Sequence, residues 1–161
     1  MTQQAIFAAG CFWGVQYYFD QVPGVVKTTV GYSGGRTKSP TYEDVCYKNT
    51  GHAEVTLVEF DPKQVSFETL VRQFFYMHDP TQLNRQGPDV GDQYRSAIFT
   101  MDGTQQAIAE NIRDEEQERH DRPIATEIKP AGEFYIAEEY HQKYTEKTGR
   151  GMCHVPYKSL T

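Results

Sequence analysis

The apolar run Ala5 to Ala9 breaks at Gly10 and a helical pattern starts at Trp13, so the chain must turn sharply from a buried strand into a helix. Cys11 sits at that turn, within Gly10-Cys11-Phe12-Trp13-Gly14. Backbone amides at a helix N-terminus carry partial positive charge, so a thiol held there ionises more readily. Phe12 and Trp13, the only tryptophan, offer the wall of a small apolar pocket beside the sulfur, and the flanking glycines let backbone and substrate approach closely. The competing reading is a structural thiol packed as a small hydrophobe.

The rest of the pattern reads as one continuous fold. Trp13 to Asp20 is expected to be a helix ended by Pro23-Gly24, and Val25 to Gly31 a second strand. Tyr32 to Thr50, rich in Gly, Ser, Thr, Pro and Asn, reads as a long loop of the kind that carries function. Ala53 to Phe60 alternates, with Val55 and Leu57 on one face and Glu54, Thr56, Val58 and Phe60 on the other. Ser66 can cap a helix whose apolar stripe is Leu70, Val71, Phe74, Phe75 and Met77.

His78 to Gln93 reads as a second loop, Tyr94 to Thr100 as a strand, and Thr104 to His120 as an exposed helix anchored by Ala107, Ile108 and Ile112. Thr126 to Lys129 is expected as the final strand, Glu138 to Lys147 as a short helix with an outward Glu139 to Lys143 pair, and Gly149 to Thr161 as an irregular tail. Strands alternate with helices only in part, and several connections are too long for hairpins. The expected fold is therefore α+β, a two-layer α/β sandwich with a mixed sheet, a ferredoxin-like core and an irregular C-terminal tail.

Composition narrows the partners. With 161 residues the chain fits one domain, residues 1–161. Its 16 basic and 22 acidic residues give a net charge of -6 and no basic stripe to neutralise phosphates, so nucleic acid is not an expected partner. No segment approaches the roughly 20 apolar residues of a membrane span, and Met1 to Gln4 lacks the basic start of a signal peptide. A cytoplasmic, monomeric protein is expected. Three cysteines do not make a disulfide framework, so reactive or inert thiols are expected instead.

Gly10-Cys11-Phe12-Trp13-Gly14, Gly31-Tyr32-Ser33-Gly34-Gly35, Pro40-Thr41-Tyr42, Thr50-Gly51-His52-Ala53-Glu54, His78-Asp79-Pro80, Arg85-Gln86-Gly87 and Gly91-Asp92-Gln93-Tyr94-Arg95-Ser96 occur together and in order. With Ala137-Glu138, His141-Gln142 and Cys153 they cover nearly the whole chain, which resembles the peptide methionine sulfoxide reductase A family. The resemblance implies reduction of methionine-S-sulfoxide, free or in proteins, without a cofactor or metal. It implies that Cys11 attacks the sulfoxide sulfur and becomes a sulfenic acid, with Glu54 as proton donor. A carboxyl group can give up a proton near neutral pH only if desolvation keeps it protonated, which the start of an apolar strand can supply.

The resemblance further implies that the Tyr42 and Tyr94 hydroxyls bind the sulfoxide oxygen, that Phe12 and Trp13 receive the S-methyl group, and that Asp89 shapes the pocket and contacts substrate backbone. His52 and His141, inside the same motifs, read as supporting, structurally satisfied histidines. Cys153 matches the family's resolving cysteine, giving a disulfide that thioredoxin reduces. Cys46, in the loop after Tyr42, is the competing resolver or an incidental packed thiol. Three other classes compete: a cysteine hydrolase using His52 or His141, a metal module built from Cys46, Cys153, His154 and His52, and a peptide-binding module without chemistry. No oxyanion-hole feature, CxxC pair or HExxH helix favours the first two.

Overall fold

The computed structural model describes residues 1–151. In chain order the elements are β1 (Gln3–Ala9), α1 (Phe12–Asp20), β2 (Val25–Ser33), α2 (Tyr42–Tyr47), β3 (Ala53–Phe60) and α3 (Phe67–Met77). A small hairpin follows, β4 (Arg85–Gln86) and β5 (Asp89–Val90), then a 3-10 turn at Asp92–Tyr94. Next come β6 (Ser96–Thr100), α4 (Gly103–Gln117), β7 (Glu127–Pro130), β8 (Phe134–Ile136), a 3-10 turn at Glu139–His141 and α5 (Tyr144–Thr148).

Six strands form one mixed sheet in the order β7-β6-β1-β3-β2-β8. Only β6 and β7 run parallel; the other neighbours are antiparallel. From Ala5 to Ala9 strand β1 is buried on both faces, which is why that run is apolar without alternation. Ala5, Phe7 and Ala9 face the helices and join Tyr18, Phe19, Leu70, Phe74, Ala109 and Ile112 in the main core. Phe7 stacks on Phe19 at 5.0 Å and meets Phe74 at 5.5 Å. Ile6 and Ala8 face the other way, against Val55, Ala97 and Phe99. The alternation expected in β3 holds: Val55 and Leu57 lie on this second face, and Val58 and Phe60 on the helix side.

Helix α3 begins where its cap predicts, with the Thr69 amide donating to Ser66 Oγ at 3.1 Å. Helix α4 begins one residue before its expected start, at Gly103, capped by Asp102, which accepts from the Gln105 amide at 2.8 Å. Its buried line is Gln105, Ala109 and Ile112, at helical spacing. Ala107 lies off that line and is exposed, so it does not anchor the helix.

Four other expectations are corrected. Strand β2 runs on to Ser33, because Tyr32 and Ser33 still pair with Glu54 and Ala53, and the following loop contains α2. The second loop contains the β4-β5 hairpin, and Tyr94 ends a 3-10 turn rather than starting a strand. Strand β8, not β7, is last among the described residues, pairing with β2 through Gly31, Tyr32 and Ser33. Finally, no single helix spans Glu138 to Lys147. Lys143 has φ +58, which breaks the helix, and its ammonium pairs with Asp20 Oδ2 at 2.7 Å rather than with Glu139. Among the described residues no helix is long and apolar enough to cross a membrane.

Candidate active site

The site gathers at one end of the sheet, where β1 and β2 finish and β3 begins. Gly10, with φ +90, makes the turn that a side chain would resist. Cys11 follows as the N-cap of α1, and only 8% of its surface is exposed. The next amide, Phe12 N–H, donates to Glu54 Oε1 at 3.2 Å. Glu54 is 2% exposed, and its Cα partner across the β2-β3 ladder is Tyr32. The expected nucleophile and acid, separated by 43 positions (54 minus 11) in the chain, are thus joined through one peptide unit.

Tyr42 opens α2, and Tyr94 closes the 3-10 turn before β6. Burial is the main reason that the Tyr42 hydroxyl is held well above the usual tyrosine range, helped by its hydrogen bond with Cys46 and by the Glu54 charge. Burial does the same to Tyr94, with Glu54, Cys46, Asp89 and Cys11 as the charges it senses. Both phenols therefore remain O–H donors at neutral pH, facing a common set of groups. Asp89 belongs to that set: burial pushes it up, and its Oδ2 has no hydrogen-bond partner among the described residues. Cys46 sits on α2 rather than in a loop, hydrogen-bonded with the Tyr42 side chain. Burial pushes it up, and the Glu54 and Glu138 charges add to this, against the Tyr42 hydrogen bond.

Phe12 is almost fully buried and Trp13 half-buried. The Trp13 indole stacks on Tyr144 at 4.0 Å and donates through Nε1 to His141 Nδ1 at 2.9 Å. His141, 1% exposed, also packs on Phe12 at 5.3 Å and Tyr42 at 4.4 Å. It is the hub that joins the aromatic wall to α2, a contact that sequence spacing does not reveal. Burial holds its pKa below the ordinary histidine value, against the Glu138 charge. Because Nδ1 accepts, the ring proton is assigned to Nε2.

His52 has a different task. Its Nδ1 accepts from the Gly35 amide at 3.0 Å and its Nε2 donates to the Thr37 carbonyl at 2.6 Å, so both nitrogens brace the loop after β2. With His52 committed to backbone and His141 to Trp13, neither ring is arranged as a base for Cys11, and a hydrolytic dyad is disfavoured. Among the described residues, no group of three or more His, Cys, Asp or Glu could hold a metal ion. A cleft of about 650 Å³ lined by His78, Asp79, Arg119 and His120 contains none of these site residues.

Cys153, with His154, lies outside the described residues. The last described residue, Gly151, packs directly on the wall: a Cβ there would come within 3.0 Å of Trp13 Cε3 and 3.2 Å of Tyr144 Cδ2.

Comparison with known proteins gives the family. The family described as "Peptide methionine sulfoxide reductase" matches residues 3–161. The peptide methionine sulfoxide reductase MsrA of Geobacter sulfurreducens is 56% identical over 153 residues, covering 94% of each chain. Among solved structures, reduced Mxr1 from Saccharomyces cerevisiae superposes with a TM-score of 0.86 at 39% identity, covering 93% of this chain and 87% of that one. Mxr1 in complex with Trx2 matches with a TM-score of 0.62 at 28% identity, covering 89% of this chain and 84% of that one. The chain belongs to the peptide methionine sulfoxide reductase family.

Proposed function

We propose that this protein reduces the S epimer of methionine sulfoxide, free or in proteins, to methionine. The observation that carries the reading is the Phe12 N–H to Glu54 Oε1 hydrogen bond, 3.2 Å, which sets a buried carboxyl against the residue after Cys11. A sulfoxide sulfur accepts a nucleophile when its oxygen is protonated as negative charge leaves it. The Cys11 thiolate attacks that sulfur while Glu54 gives its proton to the oxygen, and the Tyr42 and Tyr94 hydroxyls hold the oxygen by donating to it. In net terms the oxygen passes to the Cys11 sulfur. Methionine sulfoxide is reduced by two electrons and the thiol is oxidised to a sulfenic acid.

Phe12 and Trp13 receive the S-methyl group, and the unpartnered Asp89 Oδ2 accepts from a substrate backbone amide. Cys153 then attacks the Cys11 sulfur, forming a disulfide and releasing water. Its reach is supported by Gly151, two positions earlier, which lies on Trp13, two positions after Cys11. A thioredoxin dithiol reduces the disulfide by exchange, a partner favoured by the complex of the relative Mxr1 with Trx2. We further infer a cytoplasmic, monomeric protein whose residues 1–161 form one domain, with a ferredoxin-like core. The order β6-β1-β3-β2, antiparallel throughout, with α1 and α3 in the crossovers, supports that core.

The test gives purified protein each sulfoxide epimer, first with dithiothreitol and then with a thioredoxin system, and measures methionine. Turnover of the S epimer with both reductants is expected. Binding of oxidised peptide without release of methionine overturns the proposal.

A further inference from the structure

Helix α2 has only six residues, too few to persist without tertiary support. Its capping box closes it on itself: the Asp44 amide donates to Thr41 Oγ1 at 3.1 Å, and the Thr41 amide to Asp44 Oδ2 at 3.0 Å. Neither bond ties the helix to the sheet. Glu138 does. Its Oε2 accepts from the Tyr42 amide at 2.9 Å, and its Oε1 accepts from the Tyr32 hydroxyl at 2.9 Å. Tyr32 is fully buried, packs on Phe12 at 5.7 Å and pairs with Glu54 across the ladder.

Glu138 is itself fixed on both sides. The Ala137 amide donates to the Val30 carbonyl at 3.0 Å, and the Gln142 side chain bonds both the Val30 amide and the Val30 carbonyl, at 3.0 and 2.9 Å. Burial pushes Glu138 up, yet the Tyr42 amide and the Tyr32 hydroxyl outweigh it and hold the carboxyl below the usual range. A carboxylate kept ionised between two donors accepts hydrogen bonds and has no proton to give. Glu138 is therefore an acceptor, and proton delivery stays with Glu54 as assigned above.

Resting on the role assigned above to Tyr42, we propose that Glu138 is a positioning residue for sulfoxide reduction: its carboxylate bridges Tyr32 and the first amide of α2, and so places the Tyr42 hydroxyl.

The test is a double-mutant cycle read by single-turnover methionine release across substrate concentration, with circular dichroism to monitor folding. Glu138→Ala should slow the chemical step about tenfold or more, since small misplacements of a reacting group are costly. Glu138→Gln should recover most of the rate. Its amide oxygen can still accept from the Tyr42 amide, and its NH₂ can donate to a rotated Tyr32 hydroxyl. In a Tyr42→Phe background, Glu138→Ala should change the rate by no more than about twofold, because the group it places is already gone.

An equal loss in both backgrounds overturns the proposal, as does a parent-like Glu138→Ala or a Glu138→Gln as slow as the alanine variant. If Glu138→Ala does not fold, Glu138→Asp, one methylene shorter, is crossed with Tyr42→Phe and judged in the same way. Failure of both to fold makes Glu138 a residue of the fold alone and overturns the proposal too. A Tyr42→Phe variant as fast as the parent has a different meaning: it removes the underlying role of Tyr42.

Discussion

The Trp13 indole Nε1 donates a 2.9 Å hydrogen bond to His141 Nδ1, so the pocket wall depends on an imidazole that stays neutral. Burial lowers the His141 pKa in the folded protein, whereas the unfolded chain titrates near about 6.5. The unfolded state therefore takes up the proton first on acidification. His141 contributes its full stability above about pH 6.5, and the contribution is lost as pH falls towards the folded-state pKa. A protonated ring cannot accept from the indole. Because Trp13 is the only tryptophan, its emission should change over the same range, and a His141→Phe variant should lack that transition. Emission unchanged down to acid unfolding would disconnect the two residues.

Cys11→Ser should yield no methionine with any reductant, since a hydroxyl is a far weaker nucleophile than a thiolate towards sulfoxide sulfur. Quantifying methionine after prolonged incubation with excess dithiothreitol checks this. Appreciable product from the variant would move the chemistry elsewhere.

Glu54→Gln should fold normally, because its amide oxygen can still accept from the Phe12 N–H. The single-turnover rate should fall by about a hundredfold or more, as expected when a positioned acid is removed. A rate equal to that of the parent across pH would reassign the proton donor.

Cys153→Ser should release about one methionine per enzyme in a single turnover and then stall with thioredoxin, because it retains the attacking thiol but cannot form the exchangeable disulfide. Cys46→Ser should sustain turnover. Peptide mapping after one turnover without reductant decides between them: a Cys11 to Cys153 bridge is expected, and a Cys11 to Cys46 bridge would reverse the assignment.

Phe7→Ala should destabilise the protein by about 3–5 kcal/mol, measured by denaturant unfolding. The ring is fully buried and packs on both Phe19 and Phe74, on two different helices. A loss below about 1 kcal/mol would mean that the core recloses around the cavity.

Local pattern alone singles out Cys11; Glu54, Tyr42, Tyr94 and Asp89 are picked out by the family resemblance. Cys11 falls between the apolar run Ala5 to Ala9 and an amphipathic helix, whereas Glu54, the second residue of an alternating strand, carries no local mark of its own. Strands β4 and β5, two residues each, are too short to show any alternation, so the hairpin that carries Asp89 was hidden inside a polar loop. The break at Lys143 was equally invisible, since its left-handed backbone is matched by tertiary bonds to Asp20 and Thr28, not by a glycine. Ala107 looked like an anchor on composition, but the buried line of α4 runs through the polar Gln105, which bonds to Gln4 and Met101. His141 and Glu138 act through partners about a hundred or more positions away, and no local spacing encodes such contacts.

Strands β1 and β3 are neighbours in the interior of the sheet, each flanked on both sides, and they carry Cys11 just past one end and Glu54 just inside the adjoining end. Hydrogen exchange in such sheets is fastest at the margins and slowest at the centre. Here the margins are β7 and β8, so thermal opening should start there before it reaches the bond that joins the Phe12 amide to Glu54. The sheet can thus fray at its edges while the Phe12 amide and Glu54 keep their spacing, a durability built into strand order.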